Sequence, residues 1–157
     1  MFVDLTKAYD SIPILKLWEV LGELNINNTL IKALQNLYGN TAQVKTGNKQ
    51  SHPFNITKGL RQGCCISPTL FKIYIRKALE KWKHKCYGMG IPLENITLYT
   101  LQFADDQVVL ADDKEDLEYM THKLKEIYEK WGLDMNLNKK ILVYWRNTQQ
   151  FEIRQRQ

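Results

Sequence analysis

The stretch LQFADDQVVLADD, residues 101–113, holds two pairs of adjacent aspartates. Asp112–Asp113 leads into a polar, charged run and reads as helix caps with a solvated first turn. That reading does not suit Asp105–Asp106, which sits among Leu101, Phe103, Val108, Val109 and Leu110. Two carboxylates among apolar neighbours repel each other and lose hydration unless a cation compensates. A tight hairpin turn holds its residues rigidly, which suits a metal ligand. Oxygen ligands with no His or Cys beside them point to Mg²⁺, or Mn²⁺, rather than zinc. A third acid from another strand completes a two-ion arrangement, and Asp4, at the end of an apolar segment, is the candidate. Two such ions, ~3.5–4 Å apart, activate an attacking oxygen and hold the leaving oxygen of an in-line displacement at phosphorus. From the aspartate pair alone, metal catalysis and a surface hairpin with an acidic tip both stand.

The chain that must position these acids has 157 residues, one domain's worth, enough to bury a core of ordinary size. With 44% hydrophobic and 25% charged residues it has the composition of a soluble globular protein. A net charge of +5 and a pI near 9.0 point weakly to a polyanionic partner. Of 3 cysteines, Cys64 and Cys65 are adjacent and Cys86 is distant. That is neither zinc spacing nor a disulfide framework, so a reducing compartment is expected. The opening MFVDLTKAYD carries acids where a secretion signal needs a basic patch and an apolar run. No segment approaches the ~20 apolar residues of a membrane span. The expectation is an intracellular soluble chain.

Spacing gives the elements. Phe2–Leu5 reads as the end of an apolar strand, and so little of it is present that the chain looks clipped on its N-terminal side. Asp10-Ser11 and then Pro13 start a helix carrying Ile14, Leu15, Trp18 and Leu21. A second helix begins near Asn28-Thr29, carries Leu30, Ile31, Leu34, Leu37 and Tyr38, and stops at Gly39. Between Ala42 and Thr57 two short strands flank a Gly-Asn turn. Ser67 as N-cap and Pro68 behind it open a helix with Leu70, Phe71, Tyr74, Ile75, Ala78, Leu79 and Trp82 on one face. Residues 98–110 read as a hairpin with Ala104–Asp106 at its turn. Asp112 or Asp113 then caps a helix through Trp131, striped by Leu117, Met120, Leu124, Ile127 and Tyr128. The tail from Ile141 turns polar and basic and is expected to fray. The order predicts an α+β fold with mostly antiparallel pairing.

Four stretches in this order, FVDLTKAYD (2–10), GLRQGCCISPTLFKIYI (59–75), LQFADDQVVLADD (101–113) and GLDMNLNKK (132–140), resemble the palm motifs of reverse transcriptases. The likeness is to the non-long-terminal-repeat (LINE-type) retrotransposon kind and runs from residue 2 to about residue 143. It implies a palm-like antiparallel sheet (ferredoxin/RRM-like) with packed helices, lacking complete fingers and thumb. It implies an RNA-directed DNA polymerase that joins dNTPs to a primer 3′-hydroxyl with two Mg²⁺ ions, or Mn²⁺. Asp4 and Asp105 would be the principal metal ligands. Asp106 would contribute less, and main-chain groups of Val3 and Leu5 would touch metal or triphosphate. Tyr9 falls at the aromatic gate that excludes a 2′-hydroxyl. Gln62 and Gly63 match the Gln-Gly pair beside the nascent base pair. Arg61 reaches a phosphate or is simply solvated. Lys139 stands where a lysine would protonate the departing pyrophosphate, with Lys140 as the alternative and a solvated lysine as the ordinary reading. Lys72, Arg76 and Lys77, with Lys81, Lys83 and Lys85 beyond them, either form a solvated face or follow a template–primer backbone.

The organisation this implies is a palm over residues 1–145, with part of the fingers-side helices and hairpin, and a basic polar tail over 146–157. Leu142–Trp145 lies where a primer-gripping hairpin begins, but WRNTQQFEIRQRQ does not continue the family pattern. The implied partners are an RNA template, a DNA primer, dNTPs, and fingers, thumb or other domains of a larger polyprotein, with no membrane. The implied place of action is the nucleus or cytoplasm. By itself the chain is expected to polymerise weakly or not at all. The alternative is a non-catalytic, retrotransposon-derived remnant that binds nucleic acid or protein.

Overall fold

Helices and short antiparallel strands alternate along the chain in the computed structural model, which describes residues 1–39 and 41–136 and the backbone of 141–145 and 151–155. In chain order the elements are β1 (Phe2–Val3), β2 (Leu5–Thr6), α1 (Ile14–Glu23), α2 (Asn28–Tyr38), β3 (Thr41–Ala42), β4 (Lys45–Thr46), β5 (Lys49–Gln50) and β6 (Phe54–Asn55). They continue with α3 (Ser67–Lys85), β7 (Ile91–Leu93), β8 (Ile96–Leu98), β9 (Thr100–Phe103), β10 (Asp106–Val109), α4 (Lys114–Lys130), β11 (Asp134–Met135), β12 (Ile141–Trp145) and β13 (Phe151–Gln155). The α+β class follows. The chain divides into two units: Met1–Ala8 with Ile75–Gln157, and Tyr9–Tyr74.

The first unit is built on a five-stranded antiparallel sheet in the order β13-β12-β1-β10-β9. β1 is short but central. Met1, Val3 and Leu5 are buried while Phe2 and Thr6 are exposed, the period of two that a half-buried strand requires. On β10, Gln107 and Val109 are buried and Asp106 is exposed. α4 packs against β10, and its buried stripe is Leu117, Met120, Leu124, Ile127 and Tyr128, as spacing predicts. Asp113, not Asp112, caps it: the Asp113 carboxylate accepts the Asp116 N–H at 2.8 Å. Residues 151–155, part of a polar tail by sequence, form a strand paired with β12 from Ile141↔Gln155 to Trp145↔Phe151. The β7–β8 hairpin was not foreseen. Its turn places Glu94 at φ 42°, where Asn or Gly is the usual signal.

The second unit holds α1, α2, a β-ribbon and the first turns of α3. α1 buries Ile14, Leu17, Val20 and Leu21, while Leu15 is 76% exposed despite its apolar side chain. α2 starts where expected and is capped by Asn27, whose side chain accepts the Thr29 N–H at 2.8 Å. The ribbon turns at Gly47-Asn48 and pairs Thr46↔Lys49 and Lys45↔Gln50, with β3 and β6 pairing outside it. Ser67 opens α3, yet its hydroxyl bonds elsewhere than a cap would. It donates to the Arg61 carbonyl at 2.6 Å and meets the Tyr38 hydroxyl at 2.8 Å, tying the 61–67 loop to α2.

Cys86, at the foot of α3, is fully buried, and burial pushes its thiol up to about 11. Because the folded value exceeds the ordinary 9.0, this group favours folding below pH 9. That contribution is lost as pH rises from 9 towards about 11. At pH 8 a thiol reagent is expected to label exposed Cys65 at least about 10²-fold faster than Cys86, which reacts only on unfolding. Equal labelling rates, read by mass spectrometry, would show that Cys86 is not in the core.

Candidate active site

The aspartates of 101–113 are carried by a hairpin with a two-residue turn. β9 and β10 pair Phe103↔Asp106, Gln102↔Gln107, Leu101↔Val108 and Thr100↔Val109, which leaves Ala104 and Asp105 as the turn. Asp106 is therefore the first strand residue, not part of the turn as spacing suggested. Two-residue turns need a positive φ that matches strand twist. Ala104 supplies it at φ 53°, an unusual conformation for a residue with a side chain and least costly for a small one.

β1 pairs with β10 at Phe2↔Val108 and Val3↔Gln107. Asp4 directly follows Val3 at the end of β1, and Asp106 directly precedes Gln107 at the start of β10, so the paired ends of the two strands carry one acid each. Asp106 is exposed and Asp4 half-buried, beside buried Gln107 and Val3. Asp105 is half-buried at the adjoining turn. Asp105 lies in the turn and Asp106 opens β10. The side chains of Val3 and Leu5 are buried. Their backbones belong to two ladders, with Val3 opposite Gln107 and Leu5 opposite Met135.

Among the described residues, no three His, Cys, Asp or Glu side chains form a ready-made metal cage. Mg²⁺ seldom needs one, being held by one or two carboxylates with waters and substrate phosphates. Among the described residues the Asp105 and Asp106 side chains have no hydrogen bond or ion pair. Carboxylate oxygens are the donor type that a hard divalent ion takes.

Two supports of these acids were not found from sequence. Asn136, directly after β11, donates its backbone N–H to the Asp4 carbonyl at 2.9 Å and its side-chain amide to Asp4 Oδ2 at 3.3 Å. Beneath the hairpin, Gln107 is buried and bonded to Tyr128 and Thr100. Asn136 stands in GLDMNLNKK, where a polar residue beside buried Met135 was the available signal. Lys139 and Lys140 lie outside the described residues, as do the side chains of Leu142–Trp145.

In the second unit Tyr9 stacks on fully buried Phe71, with centroids 4.5 Å apart and planes 12° from parallel. The Tyr9 carbonyl accepts the Leu60 N–H at 2.9 Å. Gly59, at φ 98°, lies so close that a Cβ there would meet the Asp10 carbonyl at 3.3 Å. Glycine is thus needed both for its φ and for the approach. Gln62 donates its amide to Asp10 Oδ1 at 3.2 Å, and Gly63 has φ 80° with open space where a side chain would start. Asp10, Ile14, Tyr38, Lys58, Arg61 and Gln62 are among the residues lining a cleft of about 270 Å³. Arg61 is committed to the fold: its guanidinium donates to the Tyr38 carbonyl at 3.1 Å and lies 6.0 Å over the Tyr38 ring. That satisfies a free carbonyl at the C-terminus of α2 with a cation, as the helix dipole favours.

On α3, Lys72 is exposed, whereas Arg76 and Lys77 both meet Glu80, at 3.2 and 3.9 Å. Lys81 sits 5.2 Å over the Trp131 ring. Much of the basic face is therefore internally paired. No described helix is long and apolar enough to cross a membrane.

Residues 1–153 match the sequence profile of the family described as reverse transcriptase (RNA-dependent DNA polymerase). The chain is 25% identical over 138 residues to a retrovirus-related Pol polyprotein from the type-2 retrotransposable element R2DM of Drosophila melanogaster, covering 87% of this chain. It is 28% identical over 137 residues to the Pol polyprotein of a type-1 retrotransposable element R2 from Nasonia vitripennis, covering 85%. It is 24% identical over 127 residues to an uncharacterised 149 kDa protein of transposon TX1 from Xenopus laevis, covering 80%. The matched segment spans 13%, 13% and 10% of these three proteins.

Proposed function

Because the chain belongs to the reverse transcriptase (RNA-dependent DNA polymerase) family, we propose that it is the palm of a non-LTR retrotransposon polymerase that copies RNA into DNA. The observation that carries this is the β1–β10 pairing, which ends at Val3↔Gln107 with Asp4 next in one strand and Asp106 next in the other, and Asp105 at the adjoining turn. The antiparallel sheet backed by α4 supports a palm of ferredoxin/RRM-like arrangement. Asp4, Asp105 and Asp106 would hold Mg²⁺ or Mn²⁺. Bound there, two ions supply charge neutralisation at the attacking and leaving oxygens of nucleotidyl transfer. The protein's own part is position: the sheet fixes two carboxylates and the turn a third, and Asn136 holds Asp4. Lys139 donates a proton to the departing pyrophosphate in this reading. Main-chain groups of Val3 and Leu5 face metal or triphosphate. Lys72, Arg76 and Lys77 follow the template–primer backbone. The RNA template, DNA primer and dNTPs are its substrates, other polyprotein domains its partners, and the nucleus or cytoplasm its place of action.

Tyr9, Gln62 and Gly63, all in the second unit, are read as nucleotide-binding residues. A ring held flat on Phe71 cannot swing aside, so it would exclude a 2′-hydroxyl by contact. Tyr9→Val is expected to raise ribonucleotide over deoxynucleotide incorporation by about tenfold or more. Unchanged sugar selectivity in competition assays would remove Tyr9 from the gate.

The experiment for the function is Mg²⁺-dependent extension of a DNA primer on an RNA template by the longest natural protein that carries this chain. Extension that stops when Asp4 or Asp105 is replaced supports the reading. A protein that binds template–primer yet extends nothing is instead a non-catalytic remnant.

A further inference from the structure

Next to Asp106 the chain buries an amide. Gln107 is 2% exposed, while the other inward residues of this part of the sheet are Met1, Val3 and Val109. An apolar residue would satisfy the strand pattern at this position, so the glutamine is unexplained by packing. Its polar atoms are matched. Gln107 Oε1 accepts from the Tyr128 hydroxyl, and Nε2 donates to Thr100 Oγ1 at 3.0 Å. The Thr100 hydroxyl donates in turn to the Val108 carbonyl at 2.8 Å. Tyr128 is fully buried on α4, and burial pushes its phenol upward, so it remains a protonated donor at any working pH. Among the described residues no buried side-chain polar atom lacks a partner.

This relay joins α4, β10 and β9 at the residue adjoining the acidic turn. Apolar packing is non-directional and tolerates small sliding, whereas hydrogen bonds fix distance and angle. A slip of one residue in β10 would carry Asp106 into the core and Gln107 out of it. We propose that Gln107 and Tyr128 are positioning residues for the turn, holding β10 in register so that Asp105 and Asp106 stay where a divalent cation and nucleotide phosphates meet them. The inference rests on reading those acids as metal ligands. The relay touches neither substrate nor metal and acts only through the hairpin.

Tyr128→Phe deletes one oxygen and keeps the ring, and Gln107→Met keeps the side-chain length. In the longest natural protein carrying this chain, each is expected to raise the Mg²⁺ concentration for half-maximal primer extension roughly tenfold and to lower kcat about tenfold. At saturating Mg²⁺ the KM for dNTP should move less than about twofold, because Tyr9, Gln62 and Gly63 are unchanged. The double variant should be little worse than either single one, since the pair acts as a unit. Circular dichroism and melting establish folding. Should Tyr128→Phe not fold, Thr100→Val, at the half-buried end of the relay, cuts the same link. Folded variants with native Mg²⁺ dependence and kcat overturn the proposal. Asp105→Ala run in parallel separates the two levels. If it leaves extension intact, the metal reading fails and the positioning role falls with it. If it abolishes extension while Tyr128→Phe behaves as the native protein, the positioning role alone is wrong.

Discussion

Asp105→Ala is expected to lower Mg²⁺-dependent primer extension at least about 10³-fold while leaving the folded protein as stable as before, or slightly more so. The two halves of this expectation have one origin. Asp105 stands beside Asp106 at the β9–β10 turn, and neighbouring like charges repel. Among the described residues neither turn carboxylate has a hydrogen bond or ion pair to lose. Removing one therefore relieves repulsion in the metal-free protein and takes away an oxygen ligand when metal and nucleotide are bound. A melting curve without Mg²⁺ and an extension assay with it read the two halves separately. A marked drop in melting temperature would mean that Asp105 is a structural turn residue, and undiminished extension would mean that it is no ligand.

The largest effect on stability is expected at Trp82. It is fully buried in the first unit, donates its indole N–H to the Met120 carbonyl at 2.8 Å and meets Tyr99 edge-on, with centroids 6.4 Å apart. Trp82→Ala leaves a cavity between α3 and α4 and an indole-sized loss of apolar burial, about 3–5 kcal/mol. The lost hydrogen bond adds roughly 1 kcal/mol. Domains of this size are stable by only about 5–15 kcal/mol, so the variant should be largely unfolded or have its urea midpoint roughly halved. Trp82→Phe, which keeps most of the ring volume, should cost less than half as much. A midpoint for the alanine variant within about 1 kcal/mol of native would place Trp82 outside the core.

Helical faces were legible in the sequence because a helix writes its burial pattern into neighbouring turns. The stripe from Leu117 to Tyr128 and the run from Leu70 to Trp82 were read from periodicity and are buried as read. Caps were legible to within a residue, since Asn27 and Asp113 act on N–H groups two and three residues on. Leu15 misled, being apolar at helical spacing but 76% exposed, because periodicity records which faces are apolar and not which one finds a partner. The Ile91–Leu98 hairpin was missed because Pro92 and a positive-φ Glu94 hide the usual turn signal. Arg61 is exposed and also donates to the Tyr38 carbonyl, a bond between positions that no local pattern connects.

By itself the sequence determined which residues could do chemistry: the order of the four motifs, the aspartate pair between apolar neighbours, and the family to which they belong. Only the tertiary structure decided that β1 pairs with β10 at Val3↔Gln107, that Asn136 bonds the Asp4 carboxylate, and that a buried glutamine ties the acidic hairpin to α4. The division has a physical cause. Propensity, capping and turn geometry act over a few bonds and so leave a mark in adjacent letters. A strand pair between residues 3 and 107 is chosen by register and by what lies beneath the sheet, and those are properties of the folded chain.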